Sequence, residues 1–340
     1  MPVMAHRPAG DPLNRRETII ALVVLGAAPL SAEGQQAAKV ARIGFLSGSL
    51  ANGPHLPEAF RQGLRDLGYI EGRDVVIEYR DAEGKYERLP ALAAELVARK
   101  VDVIFVGGST PAALAARQAT KTVPIVFAAI PDPVSSGLVT SLARPGGNVT
   151  GLSALSPELV GKRLELLKRA VPGVSLVAVL WQPGAAGERT VKDVLKEAEV
   201  AAQALGARLQ FVEARGPADI ERAFSDMTRA RADALTVLPG AMFVNERRRL
   251  VDLAAKNRLP AVYGLREYVD TGGLMAYGPN LADLYRRVAT YVDRILKGMK
   301  PGDLPVEQPT QFELVINLKA AKDLGLTIPP SVLQRAEVIW

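Results

Sequence analysis

The chain has 340 residues, of which 48% are hydrophobic and 23% are charged, a composition typical of a globular protein large enough for two domains. It contains no cysteine and two histidines, His6 and His55, so disulfides, thiolate nucleophiles and zinc sites built on Cys or several His are excluded. The net charge is +6, spread along the sequence, and 5% of residues are aromatic, which is weak support for nucleic-acid binding. We therefore predict no nucleic-acid partner.

The first 34 residues have the pattern of an export signal. Arg15 and Arg16 precede an apolar run over residues 19–30, and the small residues at 32–34 offer a cleavage site. The apolar run is shorter than the ~20 residues that span a bilayer, so a membrane anchor is the weaker interpretation, and a buried N-terminal helix is a further alternative. We predict a signal peptide over 1–34 and a mature periplasmic chain of 306 residues that keeps the +6 charge. The export route, Sec or twin-arginine, is left open. Because no cysteine is present to be acylated, no lipid anchor is expected.

From residue 39 onward, short apolar runs rich in Val, Ile and Phe alternate with helical patterns. Nearly continuous runs of this kind are typical of parallel strands buried on both faces. The predicted strands of the first half are 42–47, 75–79, 101–106, 124–129 and 149–152, and the predicted helices between them are 57–67, 86–99 and 111–119. This order predicts a doubly wound α/β sheet.

The same alternation begins again at residue 157, which predicts a second α/β unit of similar size. Its helices are 157–170, 189–205, 217–229 and 245–257, and its strands are 175–181, 209–213, 234–238 and 261–263. A strand at 273–277, a helix at 281–296, a Pro-rich connection at 300–309, a strand at 312–318 and a helix at 319–324 follow. We expect these last elements to return to the first sheet and back, so that two lobes form a hinged clamshell.

Ligands of open α/β sheets bind where loops leave the carboxyl ends of the strands. After the predicted strand 101–106, Thr110 suits the N-cap and Pro111 the first position of a helix. Free N–H groups there, with the Ser109 and Thr110 hydroxyls, suit an anionic group such as a carboxylate. A capped helix after a glycine turn, with no ligand, is the alternative. Both interpretations also apply to the loop after the first strand. The candidate residues of these two loops are Ser47, Gly48, Ser49, Gly108, Ser109 and Thr110.

Other loops at strand ends add further candidates. Asp132 follows a predicted strand and is either the N-cap of a short helix or a contact to a ligand ammonium or hydroxyl. On the second lobe, an aromatic ring at a strand end either stacks on a ligand or is a half-buried packing residue. Tyr263 and Tyr277 are ranked above Trp181 because a glycine follows each and lets the backbone approach a ligand. The remaining candidates at strand ends are Gln182, Pro239, Gly240 and Met242.

The motifs of common enzymes are absent from the sequence. It has no dinucleotide-binding glycine motif, no phosphate-binding loop and no nucleophile elbow, and His55 is the one histidine of the predicted mature chain. We predict no cofactor, no metal and no enzymatic activity. An enzyme acting through Ser or acidic residues of the cleft is kept as the less favoured alternative.

A long ordered series of motifs resembles the ABC-transporter substrate-binding family that includes tryptophan- and tyrosine-type binding proteins. The motifs are RIGFLS (42–47), GLRDLGYIEG (63–72), GGSTP (107–111), VPIVFAAIPD (123–132), RPGGNVTGL (144–152), GKRLELL (161–167), MAYGP (275–279), PVEQPTQFELVINL (305–318) and LGLTIPP (324–330). Together they cover essentially the whole predicted mature chain.

The resemblance implies a type I periplasmic-binding fold of two Rossmann-like lobes joined by three crossovers. We expect an N-terminal lobe of residues 39–150 and 278–311 and a C-terminal lobe of residues 151–277 and 312–340. It also implies capture of a small ligand, amino-acid-like or aromatic, by a monomer that delivers it to a membrane permease powered by a separate ATPase. A periplasmic sensor that presents its bound form to a receptor is the alternative.

The resemblance also assigns parts of the site. The loop Gly108 to Pro111 is expected to hold a ligand carboxylate, and Asp132, Thr150 and Ser153 to line the cleft. Related chains tend to carry an acidic residue just after the Thr-Gly pair, whereas this chain has Ser153-Ala154-Leu155. A partner for a ligand α-ammonium is therefore missing, and the identity of the ligand stays open.

Overall fold

The computed structural model describes residues 40–154, 158–183 and 188–340. The predicted signal peptide and the predicted helix start at residue 157 lie outside these ranges. The described chain forms two sheets, of five and seven strands, with apolar clusters on both faces of each. The protein is an α/β protein of two lobes, as the alternation of strands and helices predicts.

The sheet of the N-terminal lobe is fully parallel. The elements of this lobe are β1 (Ala41–Ser47), α1 (Leu56–Asp66), β2 (Val75–Asp81), a 3₁₀ helix (Tyr86–Arg88), α2 (Leu89–Ala98), β3 (Val103–Gly107), α3 (Thr110–Ala119), β4 (Ile125–Ile130) and β5 (Val149–Ser153). Its strand order is β2-β1-β3-β4-β5. Strands β3 and β4 are buried along their whole length because helices cover both faces of the sheet.

The C-terminal lobe has a mixed sheet. Its elements are α4 (Glu158–Ala170), β6 (Leu176–Trp181), α5 (Glu188–Ala204), β7 (Arg208–Glu213), a 3₁₀ helix (Pro217–Asp219), α6 (Ile220–Arg229), β8 (Ala234–Val237), α7 (Ala241–Asn245), α8 (Arg247–Lys256), β9 (Ala261–Tyr263), α9 (Arg266–Asp270), β10 (Met275–Pro279), β11 (Phe312–Asn317), α11 (Leu318–Asp323), α12 (Pro330–Leu333) and β12 (Glu337–Ile339). The strand order is β12-β11-β10-β9-β8-β6-β7, and every pair is parallel except β10 with β11.

One helix returns from the second sheet to the first. After β10, α10 (Leu281–Leu296) packs against α1, and its Leu284, Val288 and Val292 join the same apolar core as Phe60. A 3₁₀ helix (Pro301–Asp303) follows, and β11 then rejoins the second sheet. The chain thus passes between the lobes after β5, between β10 and α10, and before β11, which is the three-crossover arrangement that the resemblance implies.

The lobe limits and several elements differ from the sequence-based expectations. Strand pairing places residues 151–153 in the first sheet and residues 278–279 in the second, so the predicted limits shift by two or three residues. The predicted helix 86–99 is a 3₁₀ helix followed by α2, because Pro90 stands at the start of a new helix. The predicted helix 245–257 corresponds to α8, and a separate short helix, α7, precedes it. The elements α7, α9, α12 and β12, which are all short, were not predicted from the sequence.

None of the helices in the described part of the chain is long and apolar enough to cross a bilayer.

Candidate ligand-binding cavity

A cavity of about 600 Å³ lies between the two lobes. The loops after β1, β3 and β4 form its N-terminal wall, and the loops after β6, β8, β9 and β10 form its C-terminal wall. Most of the cavity therefore sits at the carboxyl ends of parallel strands, where open α/β sheets place their ligands. Many of its lining side chains are apolar: Phe45, Leu50, Leu56, Leu114, Val237, Leu238, Met242, Val244, Leu265 and Leu281.

On the N-terminal wall, the loop between β3 and α3 presents polar donors. Ser109 is the N-cap of α3, and its Oγ accepts a hydrogen bond of 3.3 Å from the N–H of Ala112. Thr110, which the sequence predicts as the N-cap, is instead the first residue of the helix. The N–H groups of Ser109 and Thr110 precede the first intrahelical hydrogen bond and are available donors. The positive end of α3 thus faces the cavity, an arrangement that suits an anion.

A glycine lets the neighbouring loop approach this helix end. A Cβ on Gly48 would lie 2.9 Å from the Ser109 Oγ and 2.9 Å from the Tyr86 Cε1, closer than real Cβ atoms come. The loop after β1, with Ser47 and Ser49, therefore reaches the cavity only because residue 48 has no side chain.

On the C-terminal wall, Arg163 of α4 projects a buried guanidinium to the cavity. Its residue exposure is 4%, and its Nε donates a hydrogen bond of 2.9 Å to the backbone oxygen of Tyr277. Burial lowers the pKa of Arg163 to about 10, so the side chain stays a cation at neutral pH. A permanent positive charge therefore belongs to this wall.

A buried carboxyl, that of Glu267 in α9, also lines the cavity. It is 8% exposed, and its Oε1 lies 3.8 Å from the Nε2 of His55, which belongs to the other lobe. Its Oε2 has no hydrogen-bond partner among the residues that the structure describes. Burial raises the pKa of Glu267 above that of a free glutamate, because the charged form is poorly solvated there.

The chain matches one family of binding proteins. The sequence model of the ABC transporter substrate binding protein family matches residues 54–339. The chain belongs to this family. Its fold is that of type I periplasmic binding proteins, which structural neighbours share at identities as low as 16%.

Three relatives are similar to this substrate-binding protein over most of its length. A tyrosine-binding protein of Clostridioides difficile (strain R20291) is 29% identical over 283 residues, which is 82% of this chain and 79% of the relative. The solved ABC domain in complex with L-Trp from Streptococcus pneumonia is 30% identical, with a TM-score of 0.80 over 88% of this chain and 100% of the other. A conserved domain protein from Vibrio cholerae is 32% identical, with a TM-score of 0.79 over 88% and 99%.

Most of the binding residues predicted from the sequence of this substrate-binding protein do line the cavity. They are Ser47, Gly48, Ser49, Gly108, Ser109, Thr110, Asp132, Gln182, Pro239, Gly240 and Met242. Asp132 caps no helix, since a turn follows it, and its Oδ1 accepts hydrogen bonds from the N–H groups of Val134 and Ser135. Gln182 donates from Nε2 to the backbone oxygen of Arg215 at 3.3 Å.

Four of the predicted residues lie outside the cavity lining, and each has a structural contact that explains its position. Thr150 and Ser153 belong to β5 rather than to a crossover, and their hydroxyls donate to the backbone oxygens of Leu304 (2.7 Å) and Pro131 (3.3 Å). Tyr263 is fully buried behind Tyr268, on which its ring stacks with centroids 4.5 Å apart. Tyr277 is half-buried, and its ring packs against Phe312.

The sequence analysis missed Arg163 and Glu267, the two buried charged side chains of the cavity, and the lining tyrosines Tyr86, Tyr268 and Tyr285. The sequence signal nearest to Arg163 is Gly264, which marks a place where a neighbouring group needs room but does not identify that group. A Cβ on Gly264 would lie 3.1 Å from the Nη2 of Arg163, so this glycine makes room for a guanidinium. Within the described ranges, no group of three or more His, Asp or Glu side chains is placed to hold a metal ion.

Proposed function

We propose that this chain is the solute-binding component of an ABC importer and that it captures a small organic ligand in the cavity between its lobes. The observation that carries the proposal is the cavity itself, which is walled by strand-end loops of both lobes in a chain of the substrate-binding family. A ligand that touches both walls stabilises the closed arrangement only by the contacts that it makes there and not in the open one. The closed form would then be the one that the membrane permease accepts.

The ligand carries a carboxylate in this proposal. The loop Gly108 to Pro111 at the start of α3 supplies N–H and hydroxyl donors, and the apolar lining suits a hydrophobic body. Relatives named for tyrosine or solved with L-Trp support a ligand of amino-acid size. The cavity-lining residues predicted from the sequence, from Ser47 to Met242, are the proposed contacts.

We also propose that the chain works outside the cytoplasm, after removal of residues 1–34, as a monomer without a lipid anchor or a cofactor. Substrate-binding proteins of ABC transporters are in general extracytoplasmic. We propose no catalytic role, because the chain belongs to a family of substrate-binding proteins.

A ligand screen on the exported protein tests the proposal. The full chain is expressed in a bacterial host and recovered from the periplasm, and its intact mass shows whether residues 1–34 have been removed. Thermal unfolding is then followed with amino acids, aromatic acids, small carboxylates, amides, amines and sugars. A ligand that binds the native state alone increases the free energy of unfolding by about 2.7 kcal/mol at one hundred times its Kd, and the unfolding midpoint rises accordingly. If no compound of any class raised the midpoint, the proposed transport role would be wrong.

A second arm separates transport from sensing. A strain that lacks the gene is expected to lose uptake of the radiolabelled hit, and the gene supplied in trans is expected to restore it. Unchanged uptake in the deletion strain would contradict the importer role.

A further inference from the structure

Arg163 is a buried cation without a counter-ion among the described side chains. No described carboxylate forms an ion pair with it, and one of its five N–H donors, on Nε, is used by the backbone oxygen of Tyr277. The acidic side chains of the cavity contact groups other than Arg163. Asp132 accepts hydrogen bonds from backbone N–H groups, and Glu267 faces His55. Arg163 lines the cavity, and its Nη2 lies beside Gly264, which lines the cavity as well.

The surrounding backbone is shaped to hold this guanidinium. A Cβ on Gly264 would lie 3.2 Å from the Cζ of Arg163 and 3.1 Å from its Nη2, so the guanidinium rests directly on the glycine backbone at the end of β9. Gly278, at the adjacent end of β10, is just as constrained, because a Cβ there would overlap the backbone oxygen of Gly264. The backbone at Gly264 and Gly278 and the backbone oxygen of Tyr277 thus position the side chain of Arg163.

An unpaired buried charge opposes folding, and proteins usually pair such charges or use them for binding. A guanidinium matches a carboxylate geometrically, since two of its N–H groups can bind both carboxylate oxygens at once. An anion from solution that entered the cavity would supply the missing partner. The unfavourable burial in the free protein would then become a favourable, bidentate contact in the complex.

We propose that Arg163 binds a carboxylate of the ligand on the C-terminal wall of the cavity, so that the protein selects organic acids over amides and amines of the same carbon skeleton. The inference rests on the proposed function and adds to it a carboxylate-binding side chain on the wall opposite the start of α3. The start of α3, on the opposite wall, also suits an anion. An acid at each end of one ligand would therefore allow both walls to be occupied at once.

The test uses two skeletons that differ in shape. One set is 3-phenylpropionate, L-phenylalanine, 3-phenylpropanamide and 3-phenylpropylamine, and the other is hexanoate, adipate, L-norleucine, hexanamide and hexylamine. Thermal shift and calorimetric titration measure their binding to the exported wild-type protein and to Arg163→Gln and Arg163→Lys. The matched control is Lys162→Gln, which removes the neighbouring cation of α4, a residue paired with Glu165 and absent from the cavity lining.

We expect at least one acid to bind the wild-type protein and its amide and amine to bind at least about tenfold more weakly, a difference of about 1.4 kcal/mol. Arg163→Gln is expected to reduce the affinity for that acid by about tenfold or more, and Arg163→Lys is expected to reduce it by less. Lys162→Gln is expected to leave this affinity unchanged. If adipate alone depends on Arg163, each wall holds its own carboxylate. If Arg163→Gln kept the affinity of every acid within about twofold, or if no acid of the panel bound, the inference would be wrong.

Two further results separate this inference from a failure of folding or of the proposed function. The ligand-free Arg163→Gln protein is expected to unfold at the wild-type midpoint or above it, because an unpaired buried charge has been removed, whereas a purely structural arginine would lower the midpoint when replaced. If amides, amines or sugars bind and acids do not, the solute-binding role stands, whereas the Arg163 assignment and the proposal of a carboxylate-bearing ligand both fall. If nothing in the broad screen binds, the transport proposal itself falls.

Discussion

Two carboxyl groups face the cavity, and the chain holds them in different ways. Asp132 accepts hydrogen bonds of 3.1 and 2.9 Å from the N–H groups of Val134 and Ser135, so its charge is solvated by the backbone. Glu267 is buried, and one of its oxygens has no hydrogen-bond partner in the described part of the chain. Burial without full solvation raises the pKa of Glu267, and the ionised form therefore opposes folding.

Glu267→Gln is expected to change how stability depends on pH. The pKa of Glu267 is raised in the folded state above its ordinary value of 4.5, so the stability that the protonated acid allows is fully present below 4.5 and is lost as the pH rises through the raised value. Glutamine cannot ionise, so the stability of the variant relative to the wild type should increase as the pH rises through the raised pKa of Glu267. His55 at 3.8 Å, Arg247 and Asp270 are the other ionisable groups that influence Glu267. Thermal unfolding midpoints between about pH 4 and about pH 7 measure the difference.

The control for this prediction is Glu199→Gln, which changes an exposed glutamate on α5. Its midpoints should run parallel to those of the wild type. A constant offset between wild type and Glu267→Gln across the same pH range would contradict the assignment of a raised pKa.

At the residue scale, the sequence identified the right loops better than the right side chains. Tyr263 and Tyr277 are ranked above Trp181 because a glycine follows each; of these two glycines Gly264 lines the cavity, whereas Gly278 lies outside the lining. Their physical reason is different, however: Gly264 makes room for the guanidinium of Arg163, and Gly278 makes room for the backbone oxygen of Gly264. A side chain that arrives from a helix about a hundred residues earlier in the chain cannot be read from local spacing.

At the element scale, α10 is the helix that returns the chain from the second sheet to the N-terminal lobe. It packs on α1, where a Cβ on Gly63 would overlap the backbone oxygen of Arg286 and come within 2.9 Å of the Ala289 Cβ. The two helix backbones therefore approach as closely as glycine permits. This contact fixes α10, whose Tyr285 and Leu281 line the cavity.

Gly63→Ala is expected to destabilise the protein by about 1–3 kcal/mol, because the added methyl group forces α1 and α10 apart in a well-packed core. Urea unfolding followed by circular dichroism measures the free energy of unfolding. Gly173→Ala is the matched control, since a Cβ at Gly173 meets nothing within 4 Å. A loss below about 0.5 kcal/mol for Gly63→Ala would show that the two helices can separate without cost.

The elements themselves could be predicted well where their sequence pattern is continuous. Buried parallel strands such as β3 and β4 appear as unbroken Val, Ile and Phe runs, and α10 has a clear apolar face. Short elements such as β12 and α9 have too few residues for any period to be visible. The local sequence also predicts β5, as a strand at 149–152, but only its pairing with β4 shows that Ser153 belongs to the first sheet as well.

At the scale of the whole molecule, two side-chain pairs of the described chain connect the lobes across the cavity. The Nε2 of His55 faces the Oε1 of Glu267 at 3.8 Å, and the Nδ2 of Asn245 donates a hydrogen bond of 3.3 Å to the hydroxyl of Tyr86. Tyr86 and Asn245 both line the cavity. A contact between lobes adds to the closed arrangement without touching the ligand, so it raises ligand affinity by favouring the binding-competent state.

Tyr86→Phe and Asn245→Ala are each expected to reduce the affinity for the tightest-binding acid of the panel by about fivefold. This factor corresponds to the loss of one hydrogen bond that contributes about 1 kcal/mol. The double variant is expected to bind the acid no more weakly than the single variant of lower affinity, because both changes remove the same contact. Calorimetric titration of the four proteins gives the coupling free energy. If each residue instead contacted the ligand independently, the two losses would add.

The matched control for the tyrosine change is Tyr69→Phe, which removes a hydroxyl that donates to Asp293 at 2.8 Å within the N-terminal lobe. It should lower stability and leave ligand affinity unchanged, since both partners move together when the lobes close. Additive losses for Tyr86→Phe and Asn245→Ala, or wild-type affinity in both, would contradict a role for this pair in lobe closure. A coupling close to the single-variant loss would instead establish that affinity depends on a contact between the lobes as well as on the cavity wall.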